Sequence, residues 1–136
     1  MHALMSVGRL MRRSAADTID PGTFWMLKTI AAHGSMRVTE LAQTANLDAS
    51  TVSRHVAQLQ RIGLIERTPD PDDRRAQRVE LSPAGQSQLD EAIRNRIALL
   101  ERSLEGWGPE DLDDLGRLLN RFIGDIDTLT HDLEKA

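Results

Sequence analysis

The apolar and polar positions of this chain run first at helical spacing, then at strand spacing, then at helical spacing again. Leu4, Val7, Leu10 and Met11 predict a short amphipathic helix at the start. Asp20-Pro21 marks a second start, with an acid placed to cap free amides and a proline suited to the first helical position. Phe24, Leu27, Ile30 and Ala31 then form an apolar stripe that Gly34 ends. A third helix is expected from about Thr39 to Ala45, with Leu41, Ala42 and Ala45 inward. Asn46-Leu47-Asp48 reads as a tight polar break around one buried leucine. Asp48 or Ser50 caps a fourth helix to about Arg61, its inward stripe being Val52, Val56, Leu59 and Ile62 and its stop Gly63.

Leu64–Thr68 and Gln77–Leu81 then read as two short strands, the second alternating polar and apolar. Between them, Pro69 to Arg75 holds two prolines and a cluster of charges, which predicts a hairpin loop. Ser82-Pro83 begins a further helix carrying Leu89, Ile93, Ile97, Leu100, Leu104 and Trp107, broken at Gly108-Pro109. The last helix opens with Glu110 and Asp111, acids that suit its dipole. It sets Leu112, Leu115, Leu119, Phe122, Ile126, Leu129 and Leu133 at alternating spacings of three and four, a coiled-coil seam. The fold class expected is therefore mainly α with a small β-hairpin wing: a winged helix-turn-helix domain plus a helical dimerisation region. Residues 1–20 are read as an N-terminal helix, 21–82 as the winged DNA-binding domain and 83–136 as C-terminal helices.

Composition narrows the function. Aromatics make up only 3% of the 136 residues, so the core is built from aliphatic side chains, as in stacked helices. There is no cysteine, which excludes disulfides, thiolate catalysis and cysteine-ligated zinc. No apolar run approaches the roughly 18 residues a membrane span needs, and Met1–Ala16 has no secretory pattern, so a cytoplasmic location without a membrane partner is expected. The net charge of −4 by itself disfavours nucleic acid, yet its distribution does not. Residues 1–35 hold four basic and two acidic side chains, residues 36–85 seven of each, and residues 86–136 six and twelve. Ala49–Ile65 contains no acid while Arg54 and Arg61 lie within it.

The candidate chemistry follows from the outer face of the fourth helix. Opposite its apolar stripe stand Ser50, Thr51, Ser53, Arg54, Gln58 and Arg61. Small hydroxyls near a helix N-terminus allow close approach to a major groove, and an arginine one turn further can fork onto guanine. In the loop, Arg74 and Arg75 stand at a hairpin tip, where a guanidinium can enter a narrow minor groove, with Asp73 placed to orient Arg75. His55 flanks the inward stripe, which favours packing over a base contact. Asp70, Asp72 and Asp73 do not follow a calcium loop, since Arg75 and Leu81 stand where glycine and glutamate are needed. The four histidines share no ligand spacing, and no hydrolase serine motif, phosphate loop or dinucleotide fingerprint occurs. No metal, no cofactor and no enzymatic activity is expected. A helical interaction protein without DNA is the competing class, which steep salt dependence of binding would exclude.

The runs Arg37-Val38-Thr39-Glu40-Leu41-Ala42, Ser50-Thr51-Val52-Ser53-Arg54, Gly63-Leu64-Ile65-Glu66-Arg67, Asp70-Pro71-Asp72-Asp73-Arg74-Arg75 and Val79-Glu80-Leu81-Ser82-Pro83-Ala84-Gly85 together resemble the MarR family of bacterial regulators. The resemblance is strongest over residues 37–85. It implies a homodimer, its first and last helices interlocked for dimerisation through residues such as Leu4, on a pseudo-palindromic double-stranded DNA operator, more often as a repressor. It adds Arg37 and Thr39 to the DNA-binding set, assigns the minor-groove arginine of an Asp-x-Arg motif to Asp73 and Arg75, and leaves Arg74 to phosphate. It also implies release by a small aromatic or phenolic effector, for which Trp25 is a candidate lining residue alongside a packing role. Ser82 stands where the family usually has threonine.

Overall fold

The computed structural model describes residues 19–73 and 75–134, with side chains described as far as Thr130. The expected N-terminal helix with Leu4, the wing residue Arg74 and the side chain of Leu133 lie outside the described residues. Among those described, the order is α1 (Pro21–His33), β1 (Met36–Arg37), α2 (Val38–Ala45), α3 (Ala49–Arg61), β2 (Ile65–Pro69), β3 (Gln77–Leu81), α4 (Pro83–Ser103) and α5 (Pro109–Glu134). This is a winged helix-turn-helix architecture: mainly α, with a small antiparallel sheet as the wing.

The first helix begins as its sequence requires. Asp20 accepts the amides of Gly22 and Thr23, both at 3.0 Å, and Pro21 stands in the first turn. The buried face of α1 is Thr23, Met26, Leu27 and Ile30. Ala31, expected inward, is exposed, because one residue beyond Ile30 the helix has turned about 100° away from the core. In α2, Leu41 and Ala42 are buried and Ala45 half-buried. Asn46, left-handed at φ 50°, ends α2. Leu47 then faces outward at 52% exposure, so the turn does not enclose a leucine. In α3 the stripe Val52, Val56 and Leu59 is fully buried, whereas Ile62 is 57% exposed. Ile62 caps the helix at φ −90°, ψ 4°, so helical periodicity no longer directs its side chain.

The sheet has one strand more than the hairpin expected. Its order is β1-β3-β2, with Met36 opposite Val79 and Arg37 opposite Arg78 on one side, and Arg67 opposite Val79 on the other. Val79 reaches the core with Met26, Leu27, Ile30, Leu41, Val52, Val56, Leu59 and Ile65. Val38, Leu81 and Ile93 pack around its edge, as do Phe24 and Trp25. After β3, Ser82 ties the end of the wing to the next helix. Its hydroxyl donates to the Gly63 carbonyl and accepts the Gly85 amide. A Cβ at Gly85 would lie 1.9 Å from the Leu64 carbonyl oxygen, so this close approach requires glycine.

The described residues form two compact units, one ending at Ile97 and the other beginning at Ala98. The division between these units falls within α4, whose Leu89 and Ala92 are buried in the first unit. The helix stops at Ser103, so Leu104 and Trp107 stand in a turn rather than on the helix; Gly106 adopts φ 103° there. In the second unit, α5 exposes Leu112, Leu119, Phe122, Ile126 and Leu129, while Leu115 is half-buried. No described helix is long and apolar enough to cross a membrane.

Candidate nucleic-acid interface

The first turn of α3 is fixed by Asp48. Its Oδ1 accepts the amides of Ser50 and Thr51 at 3.0 Å each, and the two hydroxyls also donate to its carboxylate. Those hydroxyls, and the Thr51 amide, hold the Asp48 carboxyl well below the usual carboxylate range. The sequence left Asp48 and Ser50 as alternative caps; the geometry selects Asp48. It also changes what Ser50 and Thr51 offer. Each hydroxyl has given its single proton to the cap, so both present acceptor lone pairs outward.

Beyond that turn, Ser53, Arg54, Gln58 and Arg61 are exposed on the face opposite Val52, Val56 and Leu59. Arg54 Nη2 stands 3.5 Å from Thr51 Oγ1. His55 lies beside this face, half-buried, with Nε2 3.2 Å from Thr23 Oγ1. That hydroxyl donates to Asp20 Oδ2 at 2.6 Å, so the histidine Nε2–H must be the donor toward it. The contact links the start of α1 to the middle of α3. Burial raises the Asp20 pKa, but bonds from the Thr23 hydroxyl and the first amides of α1 outweigh it and leave the carboxyl below its ordinary value.

The wing turn is organised by Asp70, which the sequence places in the MarR-like wing run and excludes as a calcium ligand without revealing this role. Asp70 is 1% exposed as a residue and its side chain is fully buried. It accepts Arg37 Nε at 2.7 Å and Arg78 Nη1 at 3.3 Å, together with the amides of Asp72 at 2.9 Å and Asp73 at 3.1 Å. The Arg37 bond first, with those amides adding to it, outweighs burial and holds Asp70 well below the usual carboxylate range. Reciprocally, Asp70 raises Arg37 above its ordinary value. Arg37 is thus tied to a buried acid through Nε, and its amide donates to Glu40 at 2.7 Å. Asp73 accepts the main-chain amide of Arg75 at 2.9 Å, and among the described residues no carboxylate pairs with the Arg75 guanidinium. Asp73 therefore orients Arg75 through its backbone, not by gripping the side chain as expected.

These elements bring together residues that are far apart in sequence. Arg37, Thr39, Ser53, Arg67 and Arg75 line one open cleft of about 470 Å³ between α2, α3 and the wing. Thr51, Arg54 and Gln58 line a second, of about 390 Å³, with Asp20 and His55. Arg67 and Arg78 were not singled out from sequence. The alternation of β3 places Arg78 and Glu80 together on one face, but nothing local announces that Arg78 meets Asp70. Trp25 is half-buried and packs against the winged core.

A family model described as MarR family matches residues 19–76, the stretch that holds α1 to α3 and most of the wing. The HTH-type transcriptional regulator YxaD of Bacillus subtilis is 31% identical over 104 residues, covering 76% of this chain and 73% of that protein. The HTH-type transcriptional repressor MdtR of the same organism is 28% identical over 94 residues, covering 69% of this chain and 61% of its own length. Among solved structures, RV1404 from Mycobacterium tuberculosis superposes with a TM-score of 0.81 at 25% identity, covering 90% of this chain and 89% of that one. A helix-turn-helix with a basic outer face, flanked by an arginine-tipped wing, accompanies these matches to transcriptional regulators rather than enzymes. The chain belongs to the MarR family of DNA-binding transcriptional regulators.

Proposed function

We propose that this chain is a homodimeric repressor that places two copies of α3 in successive major grooves of a pseudo-palindromic operator, with each wing at the adjoining minor groove. The carrying observation is the division of α3 into a fully buried apolar stripe and an exposed face of Ser53, Arg54, Gln58 and Arg61. Arg54 suits a guanine edge, Arg61 and Arg74 suit phosphates, and Arg75 suits the minor groove. Thr39 faces the same cleft as Ser53 and Arg75. Arg37 acts chiefly as a strut, since its Nε is committed to Asp70.

Dimerisation is supported by α5, whose row of exposed leucine, isoleucine and phenylalanine side chains is larger than scattered surface apolar residues and has the spacing of a helix seam. Repression is supported by the name of MdtR. Binding of a small aromatic or phenolic effector beside Trp25 completes the reading, and a Trp107→Phe chain, which leaves Trp25 as the sole tryptophan, reports it as a change in fluorescence.

The test is titration of the protein into DNA from upstream of its own coding sequence at several salt concentrations. Affinity should fall steeply and linearly on a log–log scale through counterion release. Salt-independent association, or a monomer at the concentrations used, overturns the proposal.

A further inference from the structure

Besides the β1–β3 pairing and the Arg78 contacts with Ser35 and Glu40, one buried carboxylate ties the wing turn to the helix-turn-helix. Arg37 comes from the residue that leads into α2, Arg78 from the central strand, and the Asp72 and Asp73 amides from the wing turn. The Asp70 amide in turn donates to the Ala76 carbonyl at 3.1 Å, and the Ala76 amide to the Asp73 carbonyl at 2.9 Å. A buried charge is tolerated only where its partners are all in place, so arrangements in which the turn drifts from α2 are strongly disfavoured. The same turn defines the backbone that presents Arg75, through the Asp73 carboxylate on the Arg75 amide. Asp70 thus fastens the wing turn to the start of α2 and to the central strand.

We infer that Asp70 is a positioning residue for DNA recognition: it holds the wing turn at one separation from α2 and α3, so that Arg75 and the base-facing side chains of α3 engage a single duplex together. The inference rests on the proposed minor-groove role of Arg75. Being buried, the carboxylate acts only through the backbone it organises. A residue that merely stabilised the fold would lower binding to every sequence by one factor. Asp70 should instead control the component of affinity that the wing contributes.

The experiment compares the unsubstituted chain, Asp70→Asn, Arg75→Ala and the double variant by fluorescence anisotropy. Two duplexes share one core site and differ only in A·T-rich or G·C-rich flanks, and circular dichroism verifies folding. Arg75→Ala should abolish the preference for A·T flanks. Asp70→Asn should bring that preference to within about twofold of the Arg75→Ala level, and the double variant should bind within about twofold of Arg75→Ala alone, because both changes remove one contribution. Where Asp70→Asn does not fold, Arg37→Lys is read in its place; it keeps the charge but lacks the guanidinium Nε, and should lose part of the same preference. A folded Asp70→Asn with full flank preference, equal losses on both duplexes, or additive losses in the double variant overturns the inference while leaving the wing reading intact. An unchanged flank preference in Arg75→Ala overturns both.

Discussion

At Gly85 the first turn of α4 lies against the backbone of residue 64 so closely that one methyl group has no place. Gly85→Ala should therefore cost about 2–3 kcal/mol in urea denaturation, as overpacking does elsewhere. Two carboxylates make a second prediction. Asp70 and Asp48 both hold their protons more weakly folded than unfolded. Their contribution is complete above the unfolded carboxylate value of about 4 and is lost as pH falls toward the depressed folded values. Thermal midpoints should decline below about pH 4, and Asp70→Asn should flatten that decline. Residues of this kind differ in how far sequence reveals them. Arg54 was legible because helical periodicity alone turns it away from Val52, Val56 and Leu59. Asp70 was not, since Arg37 lies 33 residues earlier and Arg78 eight residues later.

Elements were legible where local chemistry starts or stops them. Asp20-Pro21 and Asp48 announce α1 and α3 because a cap needs only the next three residues. Asp20→Ala should cost about 1 kcal/mol by thermal denaturation, and with the Thr23 hydroxyl no longer held by Asp20, the link to His55 on α3 should loosen, visible as a shift in the His55 ring resonances. Periodicity fails as a guide where a helix ends. Ile62 continues the α3 stripe on paper but caps the helix in space, and Leu104 and Trp107 continue α4 beyond Ser103. The strand β1 was missed for a different reason. Two residues have no period, and Met36–Arg37 is recognisable as a strand through its pairing with β3.

For the whole molecule, the sequence disclosed the winged architecture and the seam of α5 but not what covers that seam. Phe122→Asp should convert a sedimenting dimer to monomers that bind full and half-site duplexes with similar affinity; a variant that remains dimeric would place the association elsewhere. In the proposed dimer, two-fold pairing would double whatever the leading turn of α3 selects. Because the Ser50 and Thr51 hydroxyls donate to Asp48, the leading turn of α3 offers acceptors in the proposed complex. It should seek out the exocyclic amino groups of adenine or cytosine and shun the carbonyl edges of guanine and thymine. An operator chosen from random DNA should therefore carry amino-bearing bases at two positions related by its dyad.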